Sequence, residues 1–248
     1  MFDLKGKTAL VTGASSGLGA HFAQALATAG ARVILTARRE DALAQVMQTI
    51  AAAGGQASTA RVDVTDPASI RDLSATLAAV DILVNNAGVA RNGPALEQSE
   101  ADWDAVIDTN LKGMFLMAQA AGAAMRARGQ AGCIVNVASI LGLRQAGGVL
   151  PYAVSKAGVV QMTKTLALEL ARFGIRVNAL APGYLDTDLN REFLQTDAGK
   201  ALVKRIPQRR LGQLSELTAP LLLLVSDAAS YMTGSVLTVD GGHLVSSL

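Results

Sequence analysis

Three residues near the middle of the chain have the types and spacing for acid–base chemistry: Ser139, Tyr152 and Lys156. A tyrosine and a lysine four positions apart lie on one face of a helix, with the ammonium one turn beyond the phenol. A phenol has a reference pKa of about 10, and a fixed positive charge beside it favours the phenolate and draws that value toward neutrality. The Ser139 hydroxyl can donate to a carbonyl oxygen or accept from an alcohol. Together the three describe a proton-transfer station for a C–O centre. A bare Tyr-x-x-x-Lys also suits an ordinary amphipathic helix, so the rest of the chain must decide.

A second cluster lies near the N-terminus. Gly13, Gly17 and Gly19, with Ser15, Ser16 and Leu18 between them, follow an apolar run and precede a helical pattern. Glycines let a backbone turn sharply and approach a pyrophosphate, whose charge then faces a helix N-terminus. The spacing is Gly-x-x-x-Gly-x-Gly rather than the commoner Gly-x-Gly-x-x-Gly, and its position favours a dinucleotide site over a plain tight loop. The end of the second apolar run bears on which dinucleotide. An acid there would hold a ribose diol and select NAD(H), whereas arginine accommodates a 2′-phosphate. Ala37 occupies that position and Arg38 and Arg39 follow, so NADP(H) is favoured over NAD(H), with Glu40 as a counter-signal. Asp63, followed by Val64, ends the third run; it could accept from an adenine amino group or simply close the strand.

The elements that must carry these residues alternate along the chain. Strand-like runs rich in Val, Ile and Leu fall at 8–11, 33–36, 58–62, 82–84, 134–137, 177–180 and 236–239, with the little alternation expected of parallel strands covered on both faces. Helical patterns lie between them at roughly 18–29, 39–53, 67–79, 100–127, 152–173 and 215–225. Asp66-Pro67 and Ser99-x-x-Asp102 are start signals, and Gly30, Gly54 and Gly174 are stop signals. No linker or repeat interrupts the series. The reading is a single α/β domain over 1–248, a Rossmann-type doubly wound sheet of seven mainly parallel strands with helices on both faces.

Composition excludes several alternatives. With 248 residues, half of them hydrophobic, 17% charged and a formal charge of +2, the chain predicts a packed core and offers no basic run for nucleic acid. Its one cysteine, Cys133, cannot form an internal disulfide and lies in an apolar run, as a small core residue would. No apolar stretch reaches membrane-spanning length and the N-terminus has no signal-peptide pattern, which points to a cytoplasmic protein with no membrane partner. No metal set is expected.

Taken in order, Thr12 to Gly19, Asn85-Asn86-Ala87-Gly88, Asn110, Ser139, Tyr152-x-x-x-Lys156 and Pro182-Gly183 resemble the short-chain dehydrogenase/reductase family in its subgroup of about 250 residues, across nearly the whole chain. The resemblance implies an oxidoreductase acting on CH–OH groups. Tyr152 would be the general acid/base, Lys156 would lower its pKa and bind the nicotinamide ribose, and Ser139 would orient the substrate oxygen. Asn110 would hold a water relaying protons from Lys156, or patch a helix distortion. Asn86, Ala87 and Gly88 would line the adenosine side; Pro182 and Gly183 would start the loop over the nicotinamide, with Thr187 bonding its carboxamide.

Substrate selection falls to 140–150, to 184–212 and to the last residues. Ile140, Leu141, Leu143, Val149, Leu150, Tyr184 and Leu185 predict an apolar wall suited to an acyl chain or hydrophobic ketone, with Leu141 and Tyr184 nearest the substrate. Segment 184–212 reads as a lid whose Arg191, Lys200, Lys204, Arg205, Arg209 and Arg210 could meet an acidic carrier or form a solvated face. The resemblance is strongest to 3-oxoacyl-acyl carrier protein reductases and bacterial ketoreductases, implying a small-molecule or thioester substrate. A polyol or sugar-acid dehydrogenase of the gluconate 5-dehydrogenase type stays open, as does a dinucleotide-binding regulator without turnover. The family's usual homotetramer would pair helices 100–127 and 152–173 through residues such as Ala118, Ala121, Ala124, Val159, Met162 and Leu166.

Overall fold

The computed structural model describes residues 2–186 and 196–246. It opens with β1 (Thr8–Thr12), α1 (Gly17–Thr28), β2 (Arg32–Ala37), α2 (Glu40–Ala52) and β3 (Gln56–Arg61). Two short helices, α3 (Pro67–Arg71) and α4 (Ser74–Leu77), lead to β4 (Ile82–Asn85). Then come α5 (Glu100–Ile107), a widened π turn (Asp108–Gly113), α6 (Met114–Arg128), β5 (Gly132–Val137) and the 21-residue α7 (Leu150–Leu170). The described chain ends with β6 (Ile175–Pro182), α8 (Asp197–Arg205), α9 (Thr218–Val225) and β7 (Val236–Val239).

The seven strands form one sheet in the order β3-β2-β1-β4-β5-β6-β7, and every pairing is parallel. Successive residues of each central strand feed opposite faces. Ala9, Val11, Val84 and Val135 pack with Phe22, Leu26, Leu43 and Leu221, from the helices α1, α2 and α9. Leu10, Leu83 and Ile134 pack on the other side with Ile70, Leu77, Met117 and Met125, from α3, α4 and α6. Both faces are covered, which is why these strands are written as unbroken apolar runs.

Three details differ from the sequence reading. β3 runs from Gln56 to Arg61 and leaves much of its surface in water, because it is an edge strand. The pattern at 67–79 divides into α3 and α4. The expected single helix at 100–127 is interrupted by the π turn. The cap signals hold: Asp66 accepts from the Ala68 amide at 2.8 Å, and Ser99 accepts from Asp102 at 3.1 Å. Cys133 is buried and donates to the Leu224 carbonyl at 3.3 Å, and burial pushes its thiol up to about 11. Ala118, Ala121 and Val159 are fully buried against the sheet, so they present no face to a second copy. Among the described residues, no helix is long and apolar enough to cross a membrane.

The N-terminal edge of the sheet is held by paired charge. Asp81 accepts from the Thr8 amide at 2.8 Å and from Arg128 Nη2 at 2.8 Å, while Arg128 also donates to the carbonyls of Ala78 and Val80. Arg176 donates to the carbonyls of Leu224 and Ser226, tying β6 to the end of α9.

Candidate active site

The chain leaves β3 at one edge and returns as β4 beside β1, so the direction of winding reverses between β1 and β4. In sheets of this type, ligands bind outside the carboxyl ends of the strands at that reversal. A cleft of about 620 Å³ lies there. Of the residues expected at a cofactor site, Gly13, Ser15 to Gly19, Arg38, Arg39, Asp63, Val64, Asn86, Ala87, Gly88, Pro182 and Gly183 all line it, together with Ser139, Tyr152 and Lys156. Thr187 lies outside the described residues.

The glycine-rich turn is built by close approach. Gly13 has φ +66°, and a Cβ on it would lie 2.9 Å from the Ala87 Cα. Thr12 Oγ1 accepts from the amides of Asn86 (2.9 Å) and Ala87 (3.0 Å), stitching the ends of β1 and β4 together. Gly17 has φ +54° with nothing within 4 Å of a Cβ, so the start of α1 is open to the cleft. Ser16 precedes that helix but makes no side-chain cap, and no acid stands in its first turn. The first amides of α1 therefore face the cleft without an internal anion. A dinucleotide pyrophosphate fits this cradle.

Arg39 Nη2 donates to Ser15 Oγ (3.0 Å) and Ser16 Oγ (2.9 Å), which fixes its guanidinium against the turn. Arg38 is mostly exposed and, among the described residues, makes only a 3.9 Å ion pair with Asp63. Asp63 is occupied by its own turn, accepting from the Thr65 amide at 3.0 Å and hydroxyl at 2.7 Å. Burial raises its pKa, but those two bonds and the nearby Arg38 and Arg61 bring it below the usual carboxylate range.

Ser139, Tyr152 and Lys156 come together from β5's trailing loop and the first turns of α7. Ser139 accepts from the Leu141 amide at 3.1 Å, which leaves its hydroxyl hydrogen free to donate. The loop after it lies so close to α7 that a Cβ on Gly142 would be 2.6 Å from the Lys156 carbonyl. Lys156 is 3% exposed, with no carboxylate partner among the described residues; its Nζ donates to the Val137 carbonyl at 2.7 Å and sits 5.6 Å from the centroid of the Tyr152 ring. Burial lowers its pKa to about 8.

The phenol corrects the electrostatic expectation. Tyr152 is held above its ordinary pKa, by burial first and by the neighbouring Tyr184; the Ser139 hydroxyl acts in the opposite direction. The Lys156 ammonium lies over the ring with one N–H on the Val137 carbonyl, and it does not outweigh that burial. In the protein alone the phenol is a proton donor rather than a phenolate.

Asn110 lies in the π turn, fully buried, and bonds both ways with one backbone residue: its Oδ1 accepts from Val89 N and its Nδ2 donates to Val89 O, each at 2.8 Å. Nδ2 also reaches Ser155 Oγ at 3.2 Å. The side chain thus ties the cleft rim after β4 to α7. Beneath it, Asn85 donates to Asn136 at 3.1 Å and Asn136 to Thr163 at 3.0 Å, linking β4, β5 and α7.

Of the expected apolar wall, Leu185 lines the cleft, Ile140 is 1% exposed and belongs to the core, Leu143 and Leu150 are partly exposed, and neither Leu141 nor Tyr184 lines the cleft. Tyr184 lies instead against His243, ring centroids 5.6 Å apart. Of the basic residues of segment 184–212, Arg210 is engaged by Glu216 at 2.7 Å and Lys200 by Asp197 at 3.7 Å, while Arg191 lies outside the described residues. Sequence reasoning missed Val62, Val137 and Ala138 as cleft residues, although Val137 closes β5 and Val62 and Ala138 directly follow β3 and β5; Thr109 and Ala90 carry no local signal.

Against known proteins, a family model described as Enoyl-(Acyl carrier protein) reductase matches residues 13–243. The chain is 39% identical to the gluconate 5-dehydrogenase of Gluconobacter oxydans over 99% of this chain and 98% of that one. It is equally 39% identical to the 3-oxoacyl-[acyl-carrier-protein] reductase of Escherichia coli, over 97% and 98%. Among solved structures, a gluconate 5-dehydrogenase from Burkholderia cenocepacia in complex with NADP and tartrate superposes with a TM-score of 0.93 at 38% identity, covering 99% of this chain and 98% of that one.

Proposed function

The chain belongs to the short-chain dehydrogenase/reductase family, and on that footing we propose that it moves a hydride between NADP(H) and a secondary alcohol or ketone. At the coarser level it is an NAD(P)-dependent oxidoreductase acting on CH–OH groups, EC 1.1.1.-. One observation carries the reading: the Ser139–Tyr152–Lys156 set lines the same cleft as the glycine-rich turn.

The nicotinamide, when bound, donates or accepts the hydride. Gly13, Gly17 and the first amides of α1 bind the pyrophosphate. Arg39, steadied by Ser15 and Ser16 beside a position that holds Ala37 instead of an acid, binds the 2′-phosphate; Arg38 assists. Ser139 donates to the substrate oxygen and holds it beside the phenol. In reduction Tyr152 gives that oxygen its proton, and the raised pKa keeps the proton in place until then. Lys156 stabilises the phenolate left behind and bonds the ribose. Copies associate through α5–α7, whose Trp103, Phe115 and Val154 are partly exposed, in the homotetramer the family suggests.

The substrate is a compact polar ketone or its alcohol, in the sugar-acid and polyol class. The similarity to gluconate 5-dehydrogenases, at 39% and 38% identity, supports this choice. A 3-oxoacyl thioester is the second reading, favoured by the equal identity to the Escherichia coli reductase. Initial rates with NADPH and NADH against keto-sugar acids, ketoses, hydrophobic ketones and acetoacetyl thioesters decide between them. NADPH oxidation with a keto-sugar acid is expected, and Tyr152→Phe should lower turnover at least about a thousandfold with NADPH affinity within about twofold. Turnover retained in that variant would remove Tyr152 from its role.

A further inference from the structure

One residue back from the cleft lining, three fully buried polar side chains form a line from the sheet to α7. Asn85 and Asn136 directly precede the cleft residues Asn86 and Val137 and are register partners on β4 and β5, while Thr163 lies about two turns past Lys156 on α7. The bonds run in one direction. Asn85 Nδ2 donates to the Met114 carbonyl (3.0 Å) and to Asn136 Oδ1 (3.1 Å). Asn136 Nδ2 donates to Thr163 Oγ1 (3.0 Å), and Thr163 Oγ1 donates to the Val159 carbonyl (2.8 Å). With its hydrogen used on Val159, the threonine oxygen can only accept from Asn136, so the polarity of the whole line is set.

The surroundings explain why a directional bond is useful there. α7 meets the sheet through Val159 and Val160, and the sheet answers with Ala138, Ala179 and Ala181. Apolar burial is non-directional, so methyls packed on methyls hold the helix down and do little to fix where it stands along β5. The polar grip does fix it. Asn136 holds Thr163 by its side chain, and the next residue, Val137, holds Lys156 by its carbonyl at 2.7 Å. Two adjacent residues of β5 thus grip α7 at levels about 10 Å apart along its axis. Tyr152 belongs to the same helix and Ser139 follows the same strand, so the placement of α7 on β5 is also the spacing between phenol and hydroxyl. As a stabilising device the line is poor. Asn85 Oδ1 is buried with no hydrogen-bond partner among the described residues, and apolar side chains would leave no such atom bare.

We propose that Asn136 and Thr163 are positioning residues for proton transfer: their bond sets where α7 stands along β5, and with it the approach of Tyr152 and Lys156 to Ser139. This inference rests on the acid–base reading of the cleft given above and adds to it two residues that touch neither substrate nor cofactor.

The test begins with Thr163→Val, which keeps the shape of the side chain and removes the hydroxyl. Its kcat for NADPH-dependent reduction should fall about tenfold, with the Kd for NADPH within about threefold, because the glycine-rich turn and Arg39 follow β1 and β2. Thr163→Ser keeps the hydroxyl and should hold kcat within about twofold of the wild type. The double variant Asn136→Leu with Thr163→Val removes both partners; it should melt within a few degrees of the wild type yet stay about tenfold slow. Crystal structures of the wild type and Thr163→Val, each with NADP⁺, add a readout that needs no turnover: the separation of Ser139 Oγ and Tyr152 Oη should change by about 0.5 Å or more. An unchanged separation, an unchanged kcat in Thr163→Val, or a double variant that regains full kcat would each overturn the positioning role. So would a Thr163→Ser variant as slow as Thr163→Val, since the hydroxyl would then not be the group that matters. A wild-type protein that turns over no ketone or alcohol would sink the reductase reading, and the crystal separation would still decide the positioning.

Discussion

The two edges of the sheet treat polar groups in opposite ways. At the N-terminal edge, Asp81, Arg128 and Arg176 are paired with one another or with backbone carbonyls at hydrogen-bond distance. At the C-terminal edge, among the described residues, α1 starts without a side-chain cap, Lys156 is buried with a carbonyl and no carboxylate, and the His243 ring keeps an unpaired nitrogen. Buried polar groups are normally satisfied because leaving them bare is unfavourable. The first edge follows that rule more closely, with Arg128 Nε left bare among the described residues, and supplies rigidity. The second departs from it along the cleft and beside it, and along the cleft a ligand would complete the bonding.

The contrast can be broken from either side, and the largest effect belongs to Lys156. Lys156→Met should lower kcat by more than about a hundredfold, through loss of phenolate stabilisation. It should also stabilise the fold at pH 7. The folded pKa of about 8 lies below the unfolded 10.5, so burial of the ammonium is destabilising in full below pH 8, and this penalty fades as pH rises toward 10.5. The shift corresponds to roughly 3 kcal/mol, of which the orphaned Val137 carbonyl takes back about 1–2. Thermal melts at pH 7 and pH 9.5 should show a gain of a few degrees at the lower pH and less at the higher. A loss at pH 7 would make Lys156 an ordinary structural residue.

Asp81→Ala should do the reverse: it strands the Thr8 amide and the Arg128 guanidinium, lowering stability by about 2–4 kcal/mol in urea titrations, with kcat within about twofold. A large fall in kcat would erase the division of labour between the edges. The smallest effects lie at the cleft mouth. Arg39→Ala should raise the Michaelis constant for NADPH about tenfold or more and leave NADH nearly unchanged, while Arg38→Ala should change it by about threefold or less. Equal effects would return Arg38 to the principal role that the sequence reading shared between them.

What could be read from the chain alone was whatever depends on neighbours in sequence. The glycine spacing, the Tyr-x-x-x-Lys pair and the alternation of strands and helices are local patterns, and the structure assembles them as one cleft. Contacts that span long separations were out of reach: Arg144 and the His243 carbonyl are 99 residues apart, and Asn110 meets Val89 across 21. The phenol's environment was misread for the same reason, because the Val137 carbonyl that engages Lys156 comes from a different strand end. The apolar loop 140–150 was ambiguous because hydrophobicity shows that a side chain seeks cover, not whether the cover is the core, as for Ile140, or a substrate. The alanines of α6 were ambiguous for a similar reason: small residues serve a sheet as readily as a partner helix.

The widened turn at Asp108–Gly113 has a geometric consequence of its own. Such a turn accommodates about one residue beyond the α-helical repeat. Each residue of an α-helix advances about 100° around the axis, so the surplus sets the rotational phase of α6 against α5. Excising it would swing Asn110 away from Val89 and free the lip that this amide now clasps, while the buried methionines of α6 turned out of register with the sheet.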